Sequence, residues 1–553
     1  MDKTTHRTVG RGVLIAGGIL VGLFLLVSVT ETWIGHKIRR TVQRQVSAMT
    51  GGALQAEIGD VSFSLVNRSV TLKKLRIRSD SALLPAFDPT LRSLSVDVRR
   101  LSVGGIRTSG AKGSRKLTIG ELELDAPRVD LVRGPADSVR AAAGAKHAAD
   151  SLSGNDFREV AVGELVLQNG DIRYCRQEGG NSLCHALNGL SLQTSRFRLY
   201  LADSSGHPAF AGDFRTSVNR IDYQFDNGAM QLEIDTLAVD SRDSTLHAAG
   251  VRLIPQYPKD EFASLVGNHA DWTQVIAGGV GFVGVDFARL LRDRTLRIDS
   301  VTLGHAEISS YKNRKIPQKP RTKKLFYESL QRFPLKTEIR RISLHGITAE
   351  YEELASDGVT PGRIRFTELN GDFYGLTNVK TPDTTFYRLV ASGKLMGKGE
   401  LHASFMLPVD SLTNHFEVEG HLGALDLIAL NGIIEPLARA KVNSGHVNGM
   451  DFRIVGTDRE SSVHLELLYD DLSVSLVSEN GHRIKERPLL TFVVDEMLIR
   501  HSNPDDKGLR LGEGTTERNM QRSQFNYLWK SLLPGIKQTV IGSNRADRRH
   551  DRR

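Results

Sequence analysis

LTIGELELDAPRVDLV, residues 117–132, and VAVGELVLQNGDIRYC, residues 160–175, align without a gap over 16 positions, 43 residues apart. In both copies apolar residues alternate with others: Leu122 and Leu124 in the first, Leu165 and Leu167 in the second. A period of two sends successive side chains to opposite faces, so each segment reads as a half-buried strand with one apolar side. A turn signal follows, Ala126-Pro127 or Asn169-Gly170, after which Val129 and Leu131, or Ile172 and Tyr174, restart the alternation. Even the Gly-Glu step repeats, at Gly120-Glu121 and Gly163-Glu164.

The same spacing returns further along. LRIDSVTLGHAEISSY begins at Leu296 and carries Val301 and Leu303, while IRRISLHGITAEYEE begins at Ile339 and carries Ile342 and Leu344. Two copies are followed by a strand that starts alike, Leu187-Asn188-Gly189 and Leu369-Asn370-Gly371. Four copies make a repeat architecture with a unit at least three strands long. Earlier segments alternate in the same way, with Val61, Phe63 and Leu65, then Leu94, Val96 and Val98. The expected fold is therefore mainly β: a repeat-built antiparallel sheet with a few short helices. Its apolar wall is expected to hold Phe63, Leu65, Leu122, Leu124, Val129, Leu131, Leu165, Leu167, Ile172, Tyr174, Val301, Leu303, Ile342 and Leu344.

At 553 residues the chain is long enough for several domains or one body built by repetition. Of its net charge of +9, the stretch KNRKIPQKPRTKK, 312–324, contributes +7 and the tail 545–553 contributes +3, which leaves −1 for the remainder. A body without net charge has no basic stripe for a phosphodiester backbone, so nucleic acid is not an expected partner. The two clusters suit anionic headgroups or a solvated linker and tail.

Residues 12–30 form an uncharged run of 19, long enough as a helix to span the hydrocarbon layer. Leu14, Ile15, Ile19, Leu20, Leu23, Phe24, Leu25 and Leu26 are its anchor residues, and 1–11 form a short tail expected on the cytoplasmic side. Over 31–50 the apolar Ile34, Ile38, Val42, Val46 and Met49 recur at helical spacing until Gly51-Gly52. That stripe fits either the bilayer surface or the end of a sheet. Boundaries are then placed at 51–311 for a first β-region, 312–334 for the basic linker and a short helix, and 335–500 for a second β-region. The last part, 501–553, is a tail with an amphipathic helix at 524–541, where Phe525, Leu528, Trp529 and Leu532 share a face. This helix fits a cap on the sheet or a contact with a membrane.

Catalytic signatures are weak. Gly279, Gly281 and Gly284 satisfy a dinucleotide-type spacing but lie among strands rather than in a βαβ unit, so turn glycines are expected. The stretch from Gly393 to Gly399 is one residue short of a P-loop and lacks its Ser or Thr. No metalloprotease or nucleophile-elbow motif occurs, and the 17 histidines show no ligand spacing, so no catalytic residue, metal or cofactor is expected. Cys175 and Cys184 are the only cysteines and flank a hairpin tip at Gly179-Gly180. A disulfide there would contribute about 2.5 kcal/mol by loop entropy. A metal site would have His185 as third ligand and would need a fourth from elsewhere.

The region from Phe416 to Val477 resembles the C-terminal part of AsmA-like envelope proteins. A strand ending in Gly420 leads through a short helix to Pro436, then to a strand pair with Gly445, Gly449 and Gly456, and finally to Tyr469-Asp470-Asp471-Leu472. The start is similar too, with one membrane helix, an amphipathic helix, Thr50-Gly51 and then VSFSLVNRSVTLKKLRIRSDS. The resemblance implies an elongated, curved sheet that forms an apolar β-groove, anchored in the inner membrane of a two-membrane bacterium, with its body in the periplasm. It also implies binding or conduction of phospholipid in support of outer-membrane biogenesis, with other envelope proteins as partners. The alternative expectation is a scaffold with a closed β-core and no lipid.

Overall fold

Alternation over 117–132 and 160–175 produces strands that lie side by side. In the computed structural model, Leu117 pairs with Val160, Leu122 with Leu165, Leu124 with Leu167, Val129 with Ile172 and Leu131 with Tyr174, all in parallel orientation. The sequence offset is thus the pairing register. The structure describes residues 35–64, 69–110, 115–134, 157–178, 181–200, 209–225, 228–266, 271–316, 322–379, 386–409, 415–476 and 498–542. The anchor segment 12–30 and its named residues lie outside these, as does Leu65. Among the described residues no helix is long and apolar enough to cross a membrane.

The chain forms two units, Met1–Val251 with Phe287–Asp293, and Arg252–Asp286 with Arg294–Arg553. The first begins with helix α1 (Gly35–Met49), strands β1 (Leu54–Ser64) and β2 (Ser69–Ser79), and helix α2 (Leu84–Phe87). Strands β3 (Leu91–Gly104), β4 (Arg107–Ser109), β5 (Arg115–Asp125), β6 (Arg128–Arg133), β7 (Phe157–Glu178) and β8 (Asn181–Tyr200) follow. Then come β9 (Ala209–Val218), β10 (Arg220–Phe225), β11 (Met230–Asp240) and β12 (Thr245–Pro255), in which the division between units falls. β1, β2 and β3 pair antiparallel, β3 pairs with both β5 and β6, and these two pair in parallel with β7. β7, β8, β10 and β11 continue antiparallel, with β9 bridging β8 and β11.

The second unit holds α3 (Lys259–Val266), β13 (Trp272–Val283), β14 (Thr295–Asn313), α5 (Phe326–Gln331) and β15 (Lys336–Leu354), while α4 (Phe287–Asp293) belongs to the first. Next are β16 (Gly362–Thr377), β17 (Phe386–Leu395), β18 (Gly399–Pro408), β19 (Phe416–Leu422), β20 (Leu425–Asp426) and α6 (Asn431–Ala438). It ends with β21 (Ala440–Gly456), β22 (Glu460–Leu476), β23 (Leu498–Ile499), β24 (Leu511–Glu517), α7 (Gln524–Val540) and β25 (Ile541–Gly542). Its two repeat copies also pair in parallel: Val301 with Ile342 and Leu303 with Leu344 on β14 and β15.

The sheet is therefore mixed, where an antiparallel one was expected. Parallel neighbours need a crossover of a dozen or more residues. The stretches 134–156 and 314–335, which hold the Ala-rich insertion and the basic segment, are those crossovers.

Each copy keeps its two apolar pairs on one side by a left-handed residue at the same repeat position. Ala126 (φ 48°) and Asn169 (φ 53°) are equivalent, as are His305 (φ 49°) and Gly346 (φ 61°). From Leu124 to Val129, and from Leu167 to Ile172, the count is odd, so an unbroken strand would send the second pair to the opposite face. The left-handed residue absorbs the extra position as a bulge, seen as register shifts around Gly170. The turn expected at Asn169-Gly170 is thus a kink within continuous β7. The Gly-Glu step has its own cause: a Cβ on Gly163 would lie 2.6 Å from the carbonyl oxygen of Gly120.

Helices pack over the apolar faces of the terminal strands β1 and β24. Val42 and Val46 of α1 are buried in the core beside β1, and the Arg39 guanidinium donates to Gly59 O. α7 packs on β24 and β22, so closely that a Cβ on Gly512 would collide with Gly535 O. Its N-cap Ser523 accepts from Asn526 N, Tyr527 Oη donates to Thr457 O at 3.2 Å, and Ser531 pairs with Ser461 at 2.7 Å.

Candidate functional site

The residues assigned to an apolar wall fall into cross-strand rows. In the first unit Val96, Val129, Ile172, Leu187, Ile221 and Ile234 are successive register partners from β3 to β11. Two residues away on the same face run Leu94, Leu131, Tyr174, His185, Tyr223 and Leu232. Six strands at about 4.8 Å spacing make an apolar band roughly 24 Å wide. A second pair of rows joins Phe63, Val70, Val103, Leu122 and Leu165, and Val61, Leu72, Leu101, Leu124 and Leu167.

Burial changes along these rows. Leu94 and Val96 are 1% exposed and belong to a packed cluster that includes Leu75, Ile77, Leu117, Leu124 and Leu131 and ends at Tyr174. Leu122, Val129, Leu165 and Leu167 are half-buried against it. Ile172, Leu187, Ile221, Tyr223, Leu232 and Ile234 are all partly open. Phe63, at the other end of its row, is 42% exposed.

The second unit repeats the gradient. Phe282, Val301, Ile342, Phe373, Leu389, Phe405, Val418, Ile454 and Val463 form one row across nine strands. Its last three members are under 5% exposed in the cluster beneath α7. Toward β13 the row loosens: Val301 is buried, but Ile342, Leu303, Leu344 and Phe282 are partly open. The β3–β11 rows of the first unit and the long row of the second thus run from a packed cluster to partly open strands, while Phe63 is exposed on β1, the strand beside α1.

The β7–β8 hairpin places an aromatic stack on the open part. The His185 ring lies 4.2 Å from that of Tyr223 and 5.9 Å from that of Tyr174, nearly parallel to both. His185 Nδ1 accepts from Gln224 N at 3.3 Å, so a neutral ring carries its proton on Nε2. Burial, then the Arg176 guanidinium, holds this imidazole below its usual pKa. The Tyr174 hydroxyl is buried without a hydrogen-bond partner among the described residues. Cys175 and Cys184, register partners beside this stack, are joined by a disulfide.

On the outward face of the second unit, register assembles a furrow of about 770 Å³ that sequence spacing did not reveal. Ser392, His402, His421, Asp451 and Glu466 are successive partners along one wall, and Ser404, Glu419, Arg453 and His464 along the other. His421 Nδ1 and Asp451 Oδ1 are 2.7 Å apart, and His464 Nδ1 and Glu513 Oε1 are 3.2 Å apart. Among the described residues no group of three or more His, Cys, Asp or Glu side chains is placed to hold a metal.

Two buried acids on β15 pin neighbouring elements. Glu352 meets Lys259 of α3 at 2.5 Å and Arg363 of β16, and Glu353 accepts from Tyr351 Oη at 2.6 Å and Arg314 Nη2 at 2.9 Å. Burial pushes the Glu352 carboxyl up, but the Lys259 and Arg363 hydrogen bonds outweigh it and hold the group below its usual range.

The glycine motifs serve backbone geometry. Gly279 and Gly281 lie inside β13, and Gly284 turns the chain at φ 70°. Met396 and Gly397, both left-handed, close the β17–β18 hairpin where a P-loop was considered. Gly420 and Gly456 lie under the rings of Phe452 and Phe416, and Tyr469, 1% exposed, reaches the carbonyl oxygens of Arg500 and Thr539.

No family model and no curated protein matches the chain. Among solved structures, the crystal structure of sex pheromone staph-cAM373 precursor overlaps 59% of this chain and 85% of its own at 9% identity. Its TM-score is 0.12, a likeness that carries no argument.

Proposed function

We propose that this chain is a membrane-anchored envelope protein that shelters phospholipid acyl chains along the apolar ladder of each unit. One observation supports this reading most: the ladders continue, apolar residue beside apolar residue, beyond the point where the packed clusters stop. At Leu187, Ile221, Leu232 and Ile234 the face keeps a core's composition without a core's burial. Burying an acyl chain on such a face offsets the cost of holding it outside a bilayer by about 0.8 kcal/mol per methylene. Translation along the rows requires no catalytic group. The anchor at 12–30 and the AsmA-like arrangement of elements favour the inner membrane, with the body in the periplasm and outer-membrane biogenesis as the process served.

The packed clusters favour a second reading, a scaffold whose β-core is closed and carries no lipid. Photolabelling separates the two. The full chain, reconstituted with phospholipid bearing a diazirine in its acyl chain, should be labelled on peptides of β8, β10 and β11 and of β13–β15. Label confined to 12–30 would leave the scaffold as the better account.

A further inference from the structure

We infer that the second unit carries a membrane-docking surface for anionic lipid, formed where the segment after the basic crossover meets the start of α7. Two stretches far apart in sequence, 322–332 and 518–530, are joined there by backbone contacts. Lys323 N donates to Met520 O at 2.7 Å, and Phe326 N donates to Gln524 Oε1 at 2.9 Å. The Arg518 guanidinium donates to Lys323 O at 2.6 Å.

The joined surface presents large apolar side chains to solvent. Phe525 is 55% exposed, Met520 41%, Phe326 37% and Trp529 36%. Phe525 and Trp529 stand four apart on α7, on the helix face away from Tyr527 and Ser531, which are buried. Phe, Trp and Met are side chains that enter the headgroup boundary of a bilayer.

Charge selects the occupant. Of the six cations in the two stretches, Arg518 is 7% exposed and held by backbone carbonyls, which leaves Lys323, Lys324, Arg332, Arg522 and Lys530 against one acid, Glu328. That acid is engaged at the start of α5, where its carboxylate accepts from Leu325 N at 2.7 Å. Burial, then the neighbouring Arg314, lowers the pKa of Arg522, and burial, then Arg522, lowers that of Lys530. Cations crowded in this way beside exposed aromatic rings are complementary to a surface that is apolar beneath and negative above. The Phe326 ring lies 5.5 Å from that of Phe373 in the ladder, but Met520, Phe525 and Trp529, which carry the inference and its test, lie outside the rows described above.

The test uses the full chain with Trp33 and Trp272 replaced by Phe, so that Trp529 is the sole indole, held in phosphatidylcholine nanodiscs. It is mixed with vesicles of brominated phosphatidylcholine, alone or with roughly one-third brominated phosphatidylglycerol. Trp529 emission should be quenched by the phosphatidylglycerol vesicles and unchanged by the neutral ones. Quenching should reverse in about 1 M salt, where the Debye length is about 3 Å. Replacing Lys323, Lys324 and Arg522 by Gln should weaken partitioning about a hundredfold, at about fivefold for each cation. Phe525→Ser, an exposed change that leaves the fold intact, should weaken it independently. Absence of quenching, equal quenching by neutral vesicles, or indifference to salt and to the three Gln substitutions would overturn the inference.

Discussion

His185 is the residue whose environment is least visible in the sequence, where it stands only as the third ligand of a metal site that lacks a fourth and is not expected. Cross-strand pairing places it between Tyr174 and Tyr223 on an apolar row, with Nδ1 already occupied by a backbone amide. Because its folded pKa is depressed, its contribution to stability is full above the ordinary imidazole value of 6.5 and is lost as pH falls through the lowered folded value. Urea unfolding of the parent should therefore show a midpoint that falls on acidification below about pH 6.5. His185→Phe should remove much of that fall while preserving the stack. Equal losses in the two proteins would mean that His185 is not the titrating group. The cysteines, by contrast, could be placed from spacing alone, since nine residues and a Gly-Gly tip leave little but a hairpin.

Strands were legible at the scale of elements because alternation is a local property. Their orientation was not, because a strand's own residues do not record which neighbour it takes. The repeat itself held the missing information: two copies that carry the same bulge at the same position match best side by side in parallel, where kinks and small residues coincide. Ala126 and Asn169, like His305 and Gly346, show this coincidence. Gly163 tests it. Gly163→Val should destabilise by about 1–3 kcal/mol through overpacking against the Gly120 carbonyl. Gly278→Ala, also within a strand but with open space at its Cβ, should change stability by less than about 0.5 kcal/mol. Thermal unfolding of the two variants makes the comparison, and similar losses would remove the close approach as the reason for the repeated Gly-Glu step. The furrow around His402 and His421 escaped notice for the same reason as strand orientation: it exists only once register is known.

For the molecule as a whole, sequence pattern could not distinguish a face closed against protein from one left open, since both need alternating apolar residues. The structure gives each unit both conditions, closed in its packed cluster and open along its later or earlier strands. This changes which substitutions are informative. Leu124 lies in the packed cluster at 8% exposure, so Leu124→Arg should destabilise by roughly 3–5 kcal/mol as an unpaired buried charge. Leu232→Arg, on the partly open part of the same unit, should cost about 1 kcal/mol and still abolish acyl-chain labelling of β10 and β11. Denaturant midpoints and photolabelling of the same two variants read both effects. If Leu232→Arg unfolds the protein as severely as Leu124→Arg, the open ladder is a core after all.

The in-register parallel pairing also bears on how such a chain could have grown. A duplicated segment inserted after its template meets a neighbour with the same kink at the same place, so it can dock at once without compensating changes on either side. The connection between the copies contributes nothing to their match and is free to diverge in composition. The Ala-rich stretch and the basic stretch, so unlike each other, are what would be left after two such events had each kept the strands and let the intervening gene sequence drift.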